Sequence, residues 1–171
     1  MTGSGEPEVW LRGPLPGYDP LLLPVAHALL QAREDVERVS GGATPEELWQ
    51  RPGDAASAGY HLQHLAGSLD RLFTYARGEQ LNETQRAALL QEGIPGAAAA
   101  PLVSSVAAQI DQALDQLRRT PVESLGATRE VGRGRLPSTV LGLLFHAAEH
   151  TSRHVGQLIT TLKIVRGSKG V

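Results

Sequence analysis

The sequence contains no cysteine among its 171 residues. Disulfide bonds, thiolate metal ligands and a thiol nucleophile carried by the protein are therefore excluded. A reacting thiol, if the chemistry needs one, has to arrive on a substrate. The chain is nevertheless long enough for one domain to bury a hydrophobic core without disulfide bonds.

Features that favour particular partners are also scarce. Aromatic residues make up only 4% of the chain and the formal net charge is −2, so neither a base-stacking surface nor an electrostatic attraction for nucleic acid is expected. No apolar run approaches the roughly 20 residues of a membrane span. Residues 1–20 have neither the basic start nor the apolar segment of a signal peptide. We expect a cytoplasmic protein that binds neither nucleic acid nor membranes.

A helical pattern, by contrast, is present along most of the chain. Apolar residues recur at helical spacing in four long segments, which span residues 21–39, 57–77, 102–118 and 138–165. No segment alternates polar and apolar residues as a strand would, and residues 129–137 are predicted as a loop. The pattern therefore predicts an all-α protein, a four-helix bundle with short extra helices in the connections.

The connections carry signals of their own. Thr44 and Asn82 each precede a predicted short helix, and Ser138 stands where it would cap the last long one. Residues 1–20 are rich in glycine and proline and are predicted as an irregular N-terminal arm. Residues 21–171 are then predicted to form a single four-helix-bundle domain.

Five of the six histidines fall in two short windows. His61 and His64 lie three residues apart on the second long helix, and His146, His150 and His154 follow at four-residue intervals on the last. Imidazole is a common ligand of divalent metals, and four-residue spacing places two rings on one helix face. The pattern predicts a metal site between facing helices of the bundle.

A helical wheel separates the three histidines of the last helix. His154 falls just inside the apolar arc, His150 falls at its margin, and His146 lies further out. His146 and His154 are about 12 Å apart along the axis, which is too far to share an ion whose bonds to nitrogen are about 2.1 Å long. One adjacent pair must therefore be chosen, and the wheel favours His150 with His154.

The remaining histidines are less clearly placed by the pattern. His61 and His64 share a polar flank of their helix, beside the leucine stripe, and the wheel does not say which of them binds a metal. His27 stands alone near an apolar face. A histidine in that position is more often a core or boundary residue than a ligand, and we interpret His27 in this way.

A rival motif overlaps the same helix. His146-Ala-Ala-Glu149-His150 matches the H-x-x-E-H pattern of inverted zinc metallopeptidases, in which two histidines bind zinc and the glutamate activates water. The wheel places Glu149 on the solvent face, and no carboxylate ligand stands out on a later helix. A zinc metallohydrolase is therefore kept as a minor alternative.

Three segments, taken in order, resemble the signature regions of a known family. They are Thr44-Pro-Glu-Glu-Leu-Trp49-Gln-Arg-Pro52, Ser57-Ala-Gly-Tyr-His-Leu-Gln-His64-Leu-Ala-Gly, and His150-Thr-Ser-Arg-His154-Val-Gly156-Gln157. The chain is similar, from about residue 20 to residue 165, to the DinB/YfiT-like superfamily of bacterial four-helix-bundle proteins with a metal centre. Its relatives include bacillithiol and mycothiol S-transferases and a mycothiol-dependent isomerase.

The resemblance implies a ligand set. In the family one histidine of the second helix and two of the last bind a divalent ion, most often zinc or nickel, which implies His64, His150 and His154 here. His61 and His146 depart from the family pattern and stay without an assigned role. Glu149, Arg153 and Gln157 are candidates only for orienting the ligands.

The resemblance also implies a function. We expect a divalent-metal-dependent transferase that activates a low-molecular-weight thiol, or water, for attack on a small electrophilic substrate. The alternative is a stress-associated bundle that binds metal or dimerises without catalysis. A homodimer is expected because the alanine-rich third segment, with its glycine and proline linker, could leave an apolar face uncovered.

Overall fold

The computed structural model describes residues 6–167, and it confirms the prediction of an all-α bundle. Four long helices form the bundle and two short helices lie in the connections. The helices are α1 (Leu23–Ser40), α2 (Pro45–Trp49), α3 (Ala58–Ala76), α4 (Glu83–Gln91), α5 (Ala99–Arg119) and α6 (Val140–Gly167). Residues 1–5 of the predicted arm and residues 168–171 of the predicted domain lie outside the described part of the chain.

The bundle is held by the apolar stripes of its four long helices. Helix α3 packs against α5 and α6, and α1 packs against the same two helices. On α3 the stripe runs through Leu62, Leu65, Leu69 and Phe73, each at most 2% exposed, at the spacing that keeps side chains on one helix face. The most extensive contact is between α3 and α6, which carry the two groups of closely spaced histidines and lie face to face.

Local caps fix where the helices begin. The Ser57 side chain accepts a hydrogen bond from the Tyr60 amide and starts α3. Asn82 and Gln85 form a reciprocal capping box at the start of α4. Helix α6 begins later than predicted, because Thr139 rather than Ser138 accepts a hydrogen bond from the Gly142 amide.

Ser138 belongs instead to a small hairpin that the sequence does not predict. The strands β1 (Thr128–Val131) and β2 (Leu136–Thr139) pair antiparallel, with Arg129 opposite Ser138. Both strands have only four residues, too few to show alternation between polar and apolar positions. The expected loop at residues 129–137 is therefore the hairpin, whose second strand leads directly into α6.

The start of the described chain lies against α1. The Val9 side chain is buried, and its amide donates to Gln31 Oε1 at 3.0 Å. Arg12 forms a bidentate ion pair with Glu34, in which two guanidinium nitrogens donate to the two carboxylate oxygens at 2.6 and 2.8 Å. Among the described residues, no helix is both long and apolar enough to cross a lipid bilayer.

A close contact between α2 and α3 gives a test of the packing. A Cβ atom added at Gly59 would lie 2.6 Å from ring atoms of Trp49, whose Nε1 donates to the Ala97 carbonyl at 3.1 Å. Gly59→Ala is expected to lower the free energy of unfolding by about 1–3 kcal/mol, since the anchored indole has to move. Urea unfolding measures this loss.

Gly156 on α6 provides the matched control, because an added Cβ there meets no atom within 4 Å. Gly156→Ala is expected to raise the free energy of unfolding by about 0.5–1 kcal/mol, as is usual inside a helix. Equal stability of the two variants would show that Trp49 does not occupy the position described.

Candidate metal centre

Three histidines meet where α3 faces α6. His64 lies in the second turn of α3, and His150 and His154 lie one turn apart on α6. Nε2 of His64 is 2.9 Å from Nε2 of His150, and the ring of His154 is centred 4.5 Å from each of the other two rings. One ring nitrogen of each residue lies within 4.8 Å of the others. The three predicted residues are therefore brought together.

A buried carboxylate holds the first of these rings. Nδ1 of His64 lies 2.6 Å from Glu92 Oε2, and Arg71 donates to the other carboxylate oxygen at 2.6 Å. The side chain of Glu92 is only 8% exposed. A hydrogen on Nδ1 of His64, donated to Glu92, leaves the lone pair of Nε2 directed at the group, which is the arrangement that carboxylates impose on metal-ligating histidines.

His64 and Arg71 also determine the protonation state of Glu92. Burial opposes its ionisation, but the hydrogen bonds from His64 and Arg71 and the positive charge of Arg71 outweigh burial and lower the pKa of the carboxyl. The carboxylate is thus charged at neutral pH, as an acceptor for two donors should be.

Glu92 reaches the site through a sharp turn. It directly follows α4, and the next residue, Gly93, has a φ of +89°, which favours glycine. The Gly93 amide donates to Gln63 Oε1 at 2.6 Å, so the turn is fastened to α3. Tyr60 stacks on the His64 ring, with centroids 5.3 Å apart and planes within 9°. His64 is therefore held from two sides.

His61 contacts His154, one of the three clustered histidines. Its side chain is buried, and its Nδ1 lies 3.1 Å from Nδ1 of His154. One of these two nitrogens has to donate and the other accept. If Nε2 of His154 offers a lone pair to the group, its hydrogen is on Nδ1, and His61 is the acceptor. His61 is thus placed to orient His154.

The other two histidines stand apart from the group. His146 is exposed, with its ring centred 5.4 Å from that of His150 and its Nδ1 3.5 Å from Glu149. His27 lies on α1, where its Nε2 contacts the Gly13 carbonyl at 3.1 Å. Neither belongs to the cluster of three.

Electrostatics favour neutral rings at the centre. Burial is the main cause that lowers the pKa of His61 and of His154 to about 4, and the charge of His64 adds to the effect in both. Burial, followed by the charge of His64, also lowers the pKa of His150. A lowered pKa leaves the ring neutral at pH 7, with a lone pair available for a metal ion.

The donor set fits a divalent ion. Imidazole nitrogens bind zinc at about 2.1 Å with tetrahedral angles, which puts two of them about 3.4 Å apart on one ion. The 2.9 Å between Nε2 of His64 and Nε2 of His150 would have to open by about 0.5 Å to hold it. Nickel and zinc both accept such ligands. Three protein ligands leave further coordination positions for other molecules, as in catalytic rather than structural sites.

The sequence pattern does not predict the contact of Glu92 and Arg71 with His64. Glu149, a candidate from the sequence for orienting the ligands, instead pairs with Arg153 on the surface. Arg71 follows His64 by seven residues and so shares its helix face, a signal that was available. Glu92 lies in a connection without periodicity, and only the path of the chain brings it to His64.

The comparisons with known proteins agree with this architecture. The model of the DinB superfamily matches residues 28–158. The crystal structure of a conserved protein from Enterococcus faecalis is similar, with a TM-score of 0.68 and 19% identity, covering 85% of this chain and 97% of that one. At this identity the likeness shows the fold alone. No curated protein matches the chain.

Proposed function

Because the chain belongs to the DinB superfamily, we propose that His64, His150 and His154 hold one divalent metal ion in an enzyme acting on small molecules. The observation that carries the proposal is the pair of Nε2 atoms 2.9 Å apart, one of them on a ring whose Nδ1 is fixed by Glu92. Such a pair is suited to sharing a cation, since the lone pair of His64 already faces the group.

The proposed reaction is the transfer of a low-molecular-weight thiol, of the bacillithiol or mycothiol type, to an electrophile. When bound, a zinc or nickel ion supplies Lewis-acid chemistry that lowers the pKa of a thiol or of water. The chain has no cysteine, so the thiol belongs to a substrate. Glu92 and His61 position the ligand rings, and Tyr60 and the turn at Gly93 cover His64.

A thiol-consumption assay tests the proposal. Protein purified without a histidine tag is loaded with zinc or nickel and mixed with a small thiol and 1-chloro-2,4-dinitrobenzene, a general electrophile. The loaded protein is expected to consume thiol faster than the uncatalysed mixture, and the chelator-treated protein is not. His27→Ala is the matched control, since His27 lies outside the cluster.

Two other outcomes separate the alternatives. Metal binding with hydrolysis of an activated ester, but without thiol transfer, would favour the metallohydrolase. Metal binding without either activity, over a panel of thiols and electrophiles, would contradict the enzyme and favour a metal-binding bundle of the kind associated with stress.

We also propose that the protein forms a homodimer. The alanine-rich α5 buries its apolar stripe, whereas Leu141 and Phe145, one turn apart on α6, are 42% and 65% exposed. Two large apolar side chains on one exposed helix face are a common feature of contact surfaces. Light scattering at micromolar concentration is expected to give twice the monomer mass, and Phe145→Glu to give the monomer. A wild-type monomer would refute this.

A further inference from the structure

A cavity to which the proposed reaction assigns no role lies beside the candidate metal centre. It has a volume of about 440 Å³ and lies between residues 52–56 and the outer side of α6. One part of its lining is apolar, with Pro52, Ala55 and Ile164, and the other is polar. The volume is that of a small-molecule site.

His61 connects this cavity to the cluster. It lines the cavity and contacts Nδ1 of His154 through its own Nδ1, at 3.1 Å. With His154 donating in that contact, the hydrogen of neutral His61 resides on Nε2. Among residues 6–167, no hydrogen bond is made by this Nε2, and His61 borders the cavity. A donor without a protein partner at a cavity is free to bind an acceptor on a ligand.

The charge of the lining also favours a ligand with a hydrogen-bond acceptor. Arg153 contributes the one charge among the described lining residues, none of which is acidic, and Gln157 adds an amide. Arg153 pairs with Glu149, but the two side chains are 55% and 37% exposed. A surface pair of this kind is weak and leaves further N–H groups of the guanidinium available. A carboxylate complements such a lining.

We infer that this cavity binds a small organic carboxylate, with the carboxylate toward Arg153 and His61 and an apolar part against Pro52, Ala55 and Ile164. The inference rests on the proposed function, because the direction of the hydrogen bond between His61 and His154 follows from metal binding by His154 through Nε2. The carboxylate belongs to a substrate of the adjacent centre, either the thiol or its electrophile.

Gly156 allows the cavity to be filled without disturbing the bundle. It lines the cavity, and a Cβ added there meets no atom within 4 Å. Gly156→Met therefore places a flexible side chain in the space that the ligand would use. Ala108→Met is the matched control, because Ala108 is exposed on α5 and does not line the cavity.

The test is a titration monitored by NMR, with 3-phenylpropionate and 3-mercaptopropionate as probes and their amides as neutral analogues. Both zinc-loaded and chelator-treated protein are used, so that a carboxylate bound directly to zinc is recognised by its loss without zinc. The carboxylates are expected to bind chelator-treated protein about tenfold or more tightly than the amides, the usual worth of one charge-assisted hydrogen bond. Gly156→Met should abolish this binding, Arg153→Gln should weaken it about tenfold, and Ala108→Met should not change it.

Tighter binding of the mercapto probe would assign the carboxylate to the thiol, and tighter binding of the phenyl probe would assign it to the electrophile. Equal binding of acid and amide, or binding that persists unchanged in Gly156→Met, overturns the inference. Failure of metal loading with Gly156-dependent carboxylate binding intact would reject the proposed function and leave the cavity as a separate site. Metal loading without such binding would reject the cavity as a carboxylate site and leave the proposed function standing.

Discussion

His154→Ala is expected to abolish stoichiometric binding of zinc or nickel while leaving the protein folded. The side chain offers one ring nitrogen to the cluster and contacts His61 through Nδ1. Its removal is therefore expected to take away a ligand. His64→Ala and His150→Ala should act in the same way. The loss in affinity should exceed the roughly 10–100-fold typical of groups that only orient ligands.

Metal content per folded chain, measured by elemental analysis, and competition with a chelator provide the measurement. Circular dichroism identifies any variant that has lost its helices. His27→Ala should bind metal as the wild type does, because it lies outside the cluster. His61→Ala should weaken binding by an intermediate factor, about 10–100-fold, because it removes the group that contacts His154.

Full metal stoichiometry in both His150→Ala and His154→Ala would refute the site. A different result, with His61 essential and His64 dispensable, would retain a metal site but show that the ligand from α3 was wrongly chosen. His146→Ala should change affinity less than His61→Ala, since His146 is exposed and at the edge of the cluster.

The fold and two of the three clustered histidines could be predicted because they follow from periodic patterns. The leucine stripe of α3 predicted a helix over residues 57–77, and the helix spans Ala58–Ala76. The same periodicity separated His150 and His154 from His146, because burial on α6 follows the helical repeat. Residues that share one helix face are related by the backbone itself, so no tertiary information is needed.

Contacts between elements could not be predicted in this way. On α3 the wheel placed His61 and His64 on one flank, and only the packing on α6 distinguishes them. His61 is buried against His154, whereas His64 faces His150. The position of Glu92 depends on the path of the connection after α4, which carries no repeating pattern. The hairpin before α6 could not be predicted either, since its strands have four residues each and show no repeating pattern.

Glu92→Gln is the variant that tests this unpredicted contact. The amide can still accept a hydrogen bond from His64 Nδ1, but it cannot carry the charge that pairs with Arg71 and strengthens the His64 imidazole as a ligand. Metal affinity is expected to fall by about 10–100-fold, with stoichiometry restored at saturating metal. Competition with a chelator measures the change.

Stability should fall as well, because the Arg71 side chain is 12% exposed and would lose its carboxylate partner. Breaking a buried pair by removing one partner costs about 3–5 kcal/mol, and partial access to water makes the lower end of that range the expected value. Arg71→Gln and the double variant complete a cycle. If Arg71 acts only through Glu92, the double variant should be less destabilised than the sum of the single variants.

The matched control is Glu149→Gln, which removes a carboxylate that directly precedes His150 in the chain but lies on the surface. Glu149 pairs with Arg153 and lies 3.5 Å from the exposed His146, and pairs of this kind contribute little to stability. Its metal affinity should stay within about twofold of the wild type, well below the loss expected at an orienting carboxylate. Should Glu149→Gln weaken metal binding while Glu92→Gln does not, the carboxylate that orients the ligands is on α6, and the contact between Glu92 and His64 serves only to fasten α4 to the bundle.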